Sequence, residues 1–231
     1  MKRFLTLILA LVSLSATAGI VQVKPGRPYL ENFESSATDW TLVDADGDGY
    51  NWEITRMPGV QFHSGNTCLA SASWTANGGP NGRDLQPDNW AITPPIVISE
   101  CETAVLTWWV TEQDPKFLGD RLEVLVSTTT PDIESFKSLS KETLNNGQYE
   151  QRSADLTPYI GQQIYIAFRH FNRDSFYRID LDDVAIYCNN EAGVKTPTVN
   201  VRKDAYDLQG RPAGKATRGD VLIENGKKIL K

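Results

Sequence analysis

The segment Gln163–Asn172 (QIYIAFRHFN) sets Ile164, Ile166 and Phe168 against Tyr165, Ala167 and Arg169 at alternate positions. Residues two apart share one face of an extended chain, so this alternation predicts a half-buried antiparallel strand. Thr103–Glu112 (TAVLTWWVTE), Arg121–Thr128 (RLEVLVST) and Tyr177–Tyr187 (YRIDLDDVAIY) carry the same β-branched and aromatic enrichment. Turn signals separate them at 77–82 (NGGPNG), 130–132 (TPD), 145–147 (NNG) and 159–161 (YIG). No extended segment repeats every 3.6 residues between helix caps; Asp132–Leu139 (DIESFKSL) is long enough for one short helical turn. Trp108 and Trp109 are adjacent, so on a strand they face opposite sides and at least one belongs to the core. The expectation is an all-β sandwich of antiparallel strands, about eight to ten of them.

The last of these strands contains a change of phase. Ile179 and Leu181 share a parity that Val184 and Ile186 do not, so a β-bulge across Asp182-Asp183 is needed to keep both pairs on the core side. Asp180, Asp182 and Asp183 then crowd one strand, and such charge must be solvated or bound to a cation. A solvent-facing acidic strand is the alternative.

A denser acidic signal lies at 44–51 (DADGDGYN). Asp44, Asp46 and Asp48 alternate with small residues, which lets a tight loop wrap oxygens around a hard cation such as Ca2+, as in the first half of an EF-hand loop. It is not an EF-hand, because Thr55 stands where an acidic ligand is wanted and neither flank is helical; Trp40–Val43 reads as a short strand. Further oxygens must come from elsewhere, with Glu34 and Asp182 or Asp183 the candidates if the first and last strands are neighbours. A solvated turn is the competing reading.

Residues 1–18 join a basic start (Lys2, Arg3) to an apolar run from Phe4 to Leu14 and a small-residue cleavage pattern at Ala16-Thr17-Ala18. That is the pattern of a secretory signal peptide, and no stretch is apolar over enough residues for a membrane helix. The body, 19–190, is expected to be one domain; 191–201 is linker-like; 202–231 forms a tail. Residues 19–201 hold 13 basic and 25 acidic side chains, whereas 202–231 hold 8 basic and 4 acidic. An overall formal charge of −6 argues against nucleic acid as a partner.

Catalytic signals are weak. No GxSxG, HExxH, P-loop or GxGxxG motif occurs, and His170 shares the parity of Ile164, Ile166 and Phe168, which suits a hydrogen-bonded sheet histidine. His63 falls in a loop. Of Cys68, Cys101 and Cys188, at most two can pair internally; Cys101 and Cys188 flank strand-like segments and are the favoured pair, with three buried thiols as the alternative. The chain is not expected to be an enzyme.

The ordered set 31–34 (ENFE), 40–49 (WTLVDADGDG), 87–94 (PDNWAITP), 106–110 (LTWWV), 124–129 (VLVSTT), 165–171 (YIAFRHF) and 179–184 (IDLDDV) resembles the cleaved-adhesin domain of gingipain haemagglutinin regions, over about Tyr29 to Tyr187. The resemblance implies a calcium-stabilised jelly roll, secreted or held at a bacterial surface. It also implies adhesion to host matrix or blood proteins, erythrocytes, or haemoglobin and haem. Nothing resembles the gingipain protease domain. The tail, at 205–211 (AYDLQGR) and 218–231 (RGDVLIENGKKILK), is similar to the sorting signals of the type IX export system and reads as short strands with a turn at Asn225-Gly226. A carbohydrate-binding module is the alternative function, since Trp74, Tyr149 and one of Trp108 or Trp109 could build an aromatic platform. A structural matrix component that self-assembles through an edge strand is a third reading.

Overall fold

The computed structural model describes residues 19–35, 39–56, 60–77, 82–171, 176–190, 221–224 and 227–230. The signal-peptide pattern, the linker and most of the tail lie outside them. One sheet takes β1 (Val21–Val23), β3 (Thr41–Asp44), β8 (Asp88–Ile92), β9 (Ile96–Ile98), β11 (Arg121–Ser127), β12 (Lys137–Thr143) and β14 (Gln163–Phe171). The other takes β2 (Tyr29–Glu31), β4 (Glu53–Thr55), β5 (Cys68–Ala72), β10 (Thr103–Glu112), β13 (Glu150–Asp155) and β15 (Arg178–Asn189). A two-residue pair, β6 (Trp74–Thr75) with β7 (Arg83–Asp84), stands apart. Pairing is antiparallel except between β1 and β9. The count exceeds the expected eight to ten because β1, β2, β4 and β9 have three residues each, too few to show alternation in a sequence.

The two sheets close on one core. Trp108 of β10 is 1% exposed and meets Phe168 of β14 edge-on at 5.7 Å, and Trp40 stacks on the same Phe168 at 5.8 Å. Trp109 points the other way. Truncating a core aromatic of this kind costs about 3–5 kcal/mol. Asp132–Leu139 becomes a single 3-10 turn at Ile133–Ser135 followed by β12.

The phase change in β15 is a bulge. Thr107 pairs with Ala185 and Trp109 with Asp182, so two residues, Asp183 and Val184, oppose Trp108. Asp183 takes a left-handed φ of 43°, which an aspartate tolerates better than most side chains. Ile179, Leu181, Val184 and Ile186 are all buried as a result. The bulge also divides one edge of β15 between two partners, β5 along Arg178–Leu181 and β2 along Val184–Ile186.

Cys101 and Cys188 form a disulfide with Cα atoms 5.8 Å apart, tying the entry of β10 to the end of β15, where Ala104 already pairs with Cys188. Cys68 is the free cysteine of the described residues, and burial pushes its thiol up to about 12, so it is not a thiolate nucleophile. Contacts divide the chain between Asn190 and Glu191; in the second unit β16 (Val221–Glu224) and β17 (Lys227–Leu230) pair antiparallel.

Candidate functional site

The acidic loop begins where β3 ends. Asp44 pairs with Asn89 of β8, and the chain then turns through Gly47 and Gly49, whose φ values of 71° and 86° are cheap only for glycine. Asp44 folds the loop on itself, its Oδ1 accepting from Gly47 N at 2.7 Å and its Oδ2 from Gly49 N at 2.9 Å. Asp48 Oδ1 accepts from Tyr50 N at 2.8 Å, and Asp46 Oδ1 from Asp88 N at 3.2 Å. Ligand oxygens of Asp44, Asp46 and Asp48 thereby come within 4.8 Å of one another. The Gly49 amide, more than any other group, holds the Asp44 carboxyl below its ordinary range, while burial and then the neighbouring Asp48 charge push Asp46 up. Three carboxylates so close repel without a counter-ion, and an all-oxygen set of this kind suits a hard divalent cation.

Glu34, Asp182 and Asp183 do not join that group. β2 and β15 are neighbours, as the six-ligand expectation required, but β3 carries the acidic loop from the opposite sheet. Glu34, Asp182 and Asp183 instead meet the 63–67 segment. Glu34 Oε1 accepts from Asn66 N, Thr67 N and Thr67 Oγ1 at 2.8–2.9 Å, and these bonds, Asn66 first, lower its pKa. Asp182 Oδ2 accepts from His63 N at 3.0 Å and Ser64 N at 3.2 Å, and its Oδ1 from Asp183 N at 2.8 Å. Asp183 pairs with His63 Nδ1 and accepts from Ser64 Oγ at 2.9 Å. Burial lifts Asp182 to about 6 despite these donors. Phe33 supports the arrangement with a left-handed φ of 56°, its ring fully buried and its carbonyl accepting from Thr67 Oγ1 at 2.7 Å. Gly65 belongs there too, since a Cβ on it would come within 2.2 Å of Glu34 Oε1.

The aromatic platform does not assemble as expected. Trp108 is core; His63 stacks on Trp109 at 3.8 Å and meets Tyr149 edge-on at 5.8 Å. Trp74 sits instead beside Tyr177, with ring centres 6.1 Å apart. Sequence alone gave no reason to join Trp74 with Tyr177, because 102 residues lie between them in the chain.

His170 sits between Ser71 Oγ, 2.8 Å from Nδ1, and Asp120 Oδ1, 3.2 Å from Nε2. The three residue types are those of a hydrolase triad, but Ser71 is 1% exposed and the other two are fully buried, so no substrate reaches the hydroxyl. The set joins β5 of one sheet to β14 of the other through hydrogen bonds, as expected for His170. Sequence reading missed Asp120 and Ser71, whose partner lies 50 and 99 residues away respectively.

The family described as Cleaved Adhesin Domain matches residues 28–186. The chain belongs to the cleaved-adhesin family. Haemagglutinin A of Porphyromonas gingivalis is 36% identical over 196 residues, covering 75% of this chain and 7% of that protein. Lys-gingipain W83 of the same species is 32% identical over 189 residues, 75% of this chain and 10% of that protein. This cleaved-adhesin chain therefore spans a tenth or less of those relatives. The crystal structure of the K1 cleaved adhesin domain of Lys-gingipain from P. gingivalis W83 superimposes with a TM-score of 0.61 at 33% identity, covering 71% of this chain and 99% of that one. The match thus falls on an adhesin domain of a protein whose name is that of a protease, and the all-β antiparallel architecture is that of the family. Among the described residues no helix is long and apolar enough to cross a membrane.

Proposed function

We propose that this chain is a calcium-stabilised adhesin, secreted or displayed at a bacterial surface, that binds host matrix or blood proteins, with haemoglobin or haem among the candidates. Membership of the cleaved-adhesin family over residues 28–186 is the observation that carries the adhesive reading. The convergence of Asp44, Asp46 and Asp48 supports the calcium. Loop carbonyls and water would complete a shell of about six to eight oxygens. The role of such an ion is to hold the loop that joins β3 to β4, because a ligand bound only by the folded state stabilises it by mass action. The N-terminal pattern at 1–18 and the sorting-signal resemblance of the tail support export.

The test is a solid-phase binding assay of the full chain against immobilised matrix proteins, haemoglobin, haem and intact erythrocytes, with calcium and with excess chelator. Saturable binding to at least one protein partner, weakened by chelator, is the expected outcome. Absence of binding to all of them would overturn the adhesive reading.

A further inference from the structure

A groove of about 640 Å3 runs between β4–β5 and the β6–β7 pair. Its volume falls in the usual range for ligand clefts, about 300–1,000 Å3. The floor follows from strand alternation. Leu69 and Ser71 of β5 face the interior, one in the core and one on His170, so Ala70 and Ala72 lie on the opposite face, where Ala70 is fully buried and the small, partly exposed Ala72 leaves depth above it. Trp74 and Tyr177 form one wall, 6.1 Å apart with planes inclined by 45°. Tyr50 and Asn51 form the other, continuous with the acidic loop, and Glu53 and Asn77 add polar groups.

The walls are fixed in advance. A Cβ at position 82 would lie 2.2 Å from Trp74 Cζ2 and 2.7 Å from the Thr75 carbonyl, so Gly82 alone lets the hairpin backbone press against the indole. Arg83, one residue on, spans from Tyr50, 5.2 Å below its guanidinium, to Asp48 at 3.6 Å, joining the hairpin to the loop. Rings held in place before a ligand arrives lose little entropy on binding.

The chemistry selects among occupants. Flat rings with amide and carboxylate groups between them suit pyranose faces and hydroxyls. Both arginines are engaged, Arg83 as above and Arg178 with Asp180 at 2.8 Å, so the groove offers acidic sugars no dedicated cation, and the body around it is acidic. Peptide addition to the neighbouring edge is disfavoured, because β4 has three residues and begins with the exposed Glu53. We propose that this groove binds a neutral oligosaccharide, with Trp74 and Tyr177 as the stacking surface. The proposal goes beyond protein adhesion and stands or falls separately from it.

The test is calorimetric titration of the full chain with neutral gluco-, galacto-, xylo-, manno- and N-acetylglucosamine oligosaccharides, with sialylated and basic-peptide probes alongside. Saturable binding of at least one neutral series is expected. Trp74→Ala should weaken it at least tenfold, and Ala72→Leu, which fills the floor without removing a ring, should do the same at unchanged melting temperature. Trp109→Ala, on the same sheet but outside the groove lining, should leave it unaltered. Binding that survives both groove variants, tighter binding of the sialylated or peptide probe, or no binding of any neutral series would overturn the assignment. Retention of protein adhesion by Ala72→Leu would show the two activities to be separate.

Discussion

The two acidic groups of this molecule are built from the same residue types and do opposite things with them. Asp44, Asp46 and Asp48 lie within five residues of one another, and the loop bonds made by Asp44 and Asp48 are entirely local. Their oxygens converge on one another. Glu34, Asp182 and Asp183 come from distant parts of the chain and direct their oxygens at the amides and side chains of residues 63–67. The first group concentrates negative charge, the arrangement on which the proposed calcium site rests. The second disperses it over donors, which fastens a loop to β15. A count of carboxylates does not separate the two; whether their oxygens converge on one another or on residues 63–67 does.

The difference is sharpest at Asp182. Replacing it with Ala leaves the His63, Ser64 and Asp183 amides without their acceptor. At about 1–3 kcal/mol for each unsatisfied buried group, partly relieved by water, the expected loss is about 3 kcal/mol, or roughly 10 °C in Tm. Asp182→Asn keeps one acceptor oxygen and should cost less. Thermal unfolding by circular dichroism reads both. Gly65→Ala should cost about 2 kcal/mol, because φ of 58° strains an alanine and Glu34 must yield its place.

Acidity gives a third comparison. Burial places both Asp180 and Asp182 at about 6, above the ordinary aspartate value. A carboxyl whose pKa is raised by folding holds its proton more tightly in the native state, so its contribution is greatest below about pH 4 and is lost as pH rises through about 6. In excess chelator, Tm is therefore expected to fall by a few degrees across that window, and the fall should be smaller in Asp182→Asn. An equal fall in the two proteins would remove Asp182 from the account. The smallest effect is expected at the acidic loop, where Asp46→Ala in chelator should change stability by less than about 0.5 kcal/mol, because this partly exposed carboxylate accepts one long bond from Asp88 N.

The same contrast explains what the sequence disclosed. Strand alternation in Gln163–Phe171 and the phase change at Asp182-Asp183 are local properties, and the sandwich and the bulge follow from them. The acidic loop was legible for the same reason. The placement of Glu34 and Asp182 depended on which sheet received β3, and four residues of Thr41–Asp44 contain nothing that decides it. His63 had no visible role, because its partners Asp183 and Trp109 lie 120 and 46 residues away in the chain. Tyr177 was invisible as a neighbour of Trp74 on the same grounds.

Calorimetric titration of CaCl2 into the full chain, beside a variant carrying both Asp46→Ala and Asp48→Ala, tests the division between the two acidic groups most directly. Saturable binding to the wild type, accompanied by a rise in Tm and absent from the variant, is the predicted result. Undiminished calcium binding by the variant, or no heat from the wild type, would contradict it.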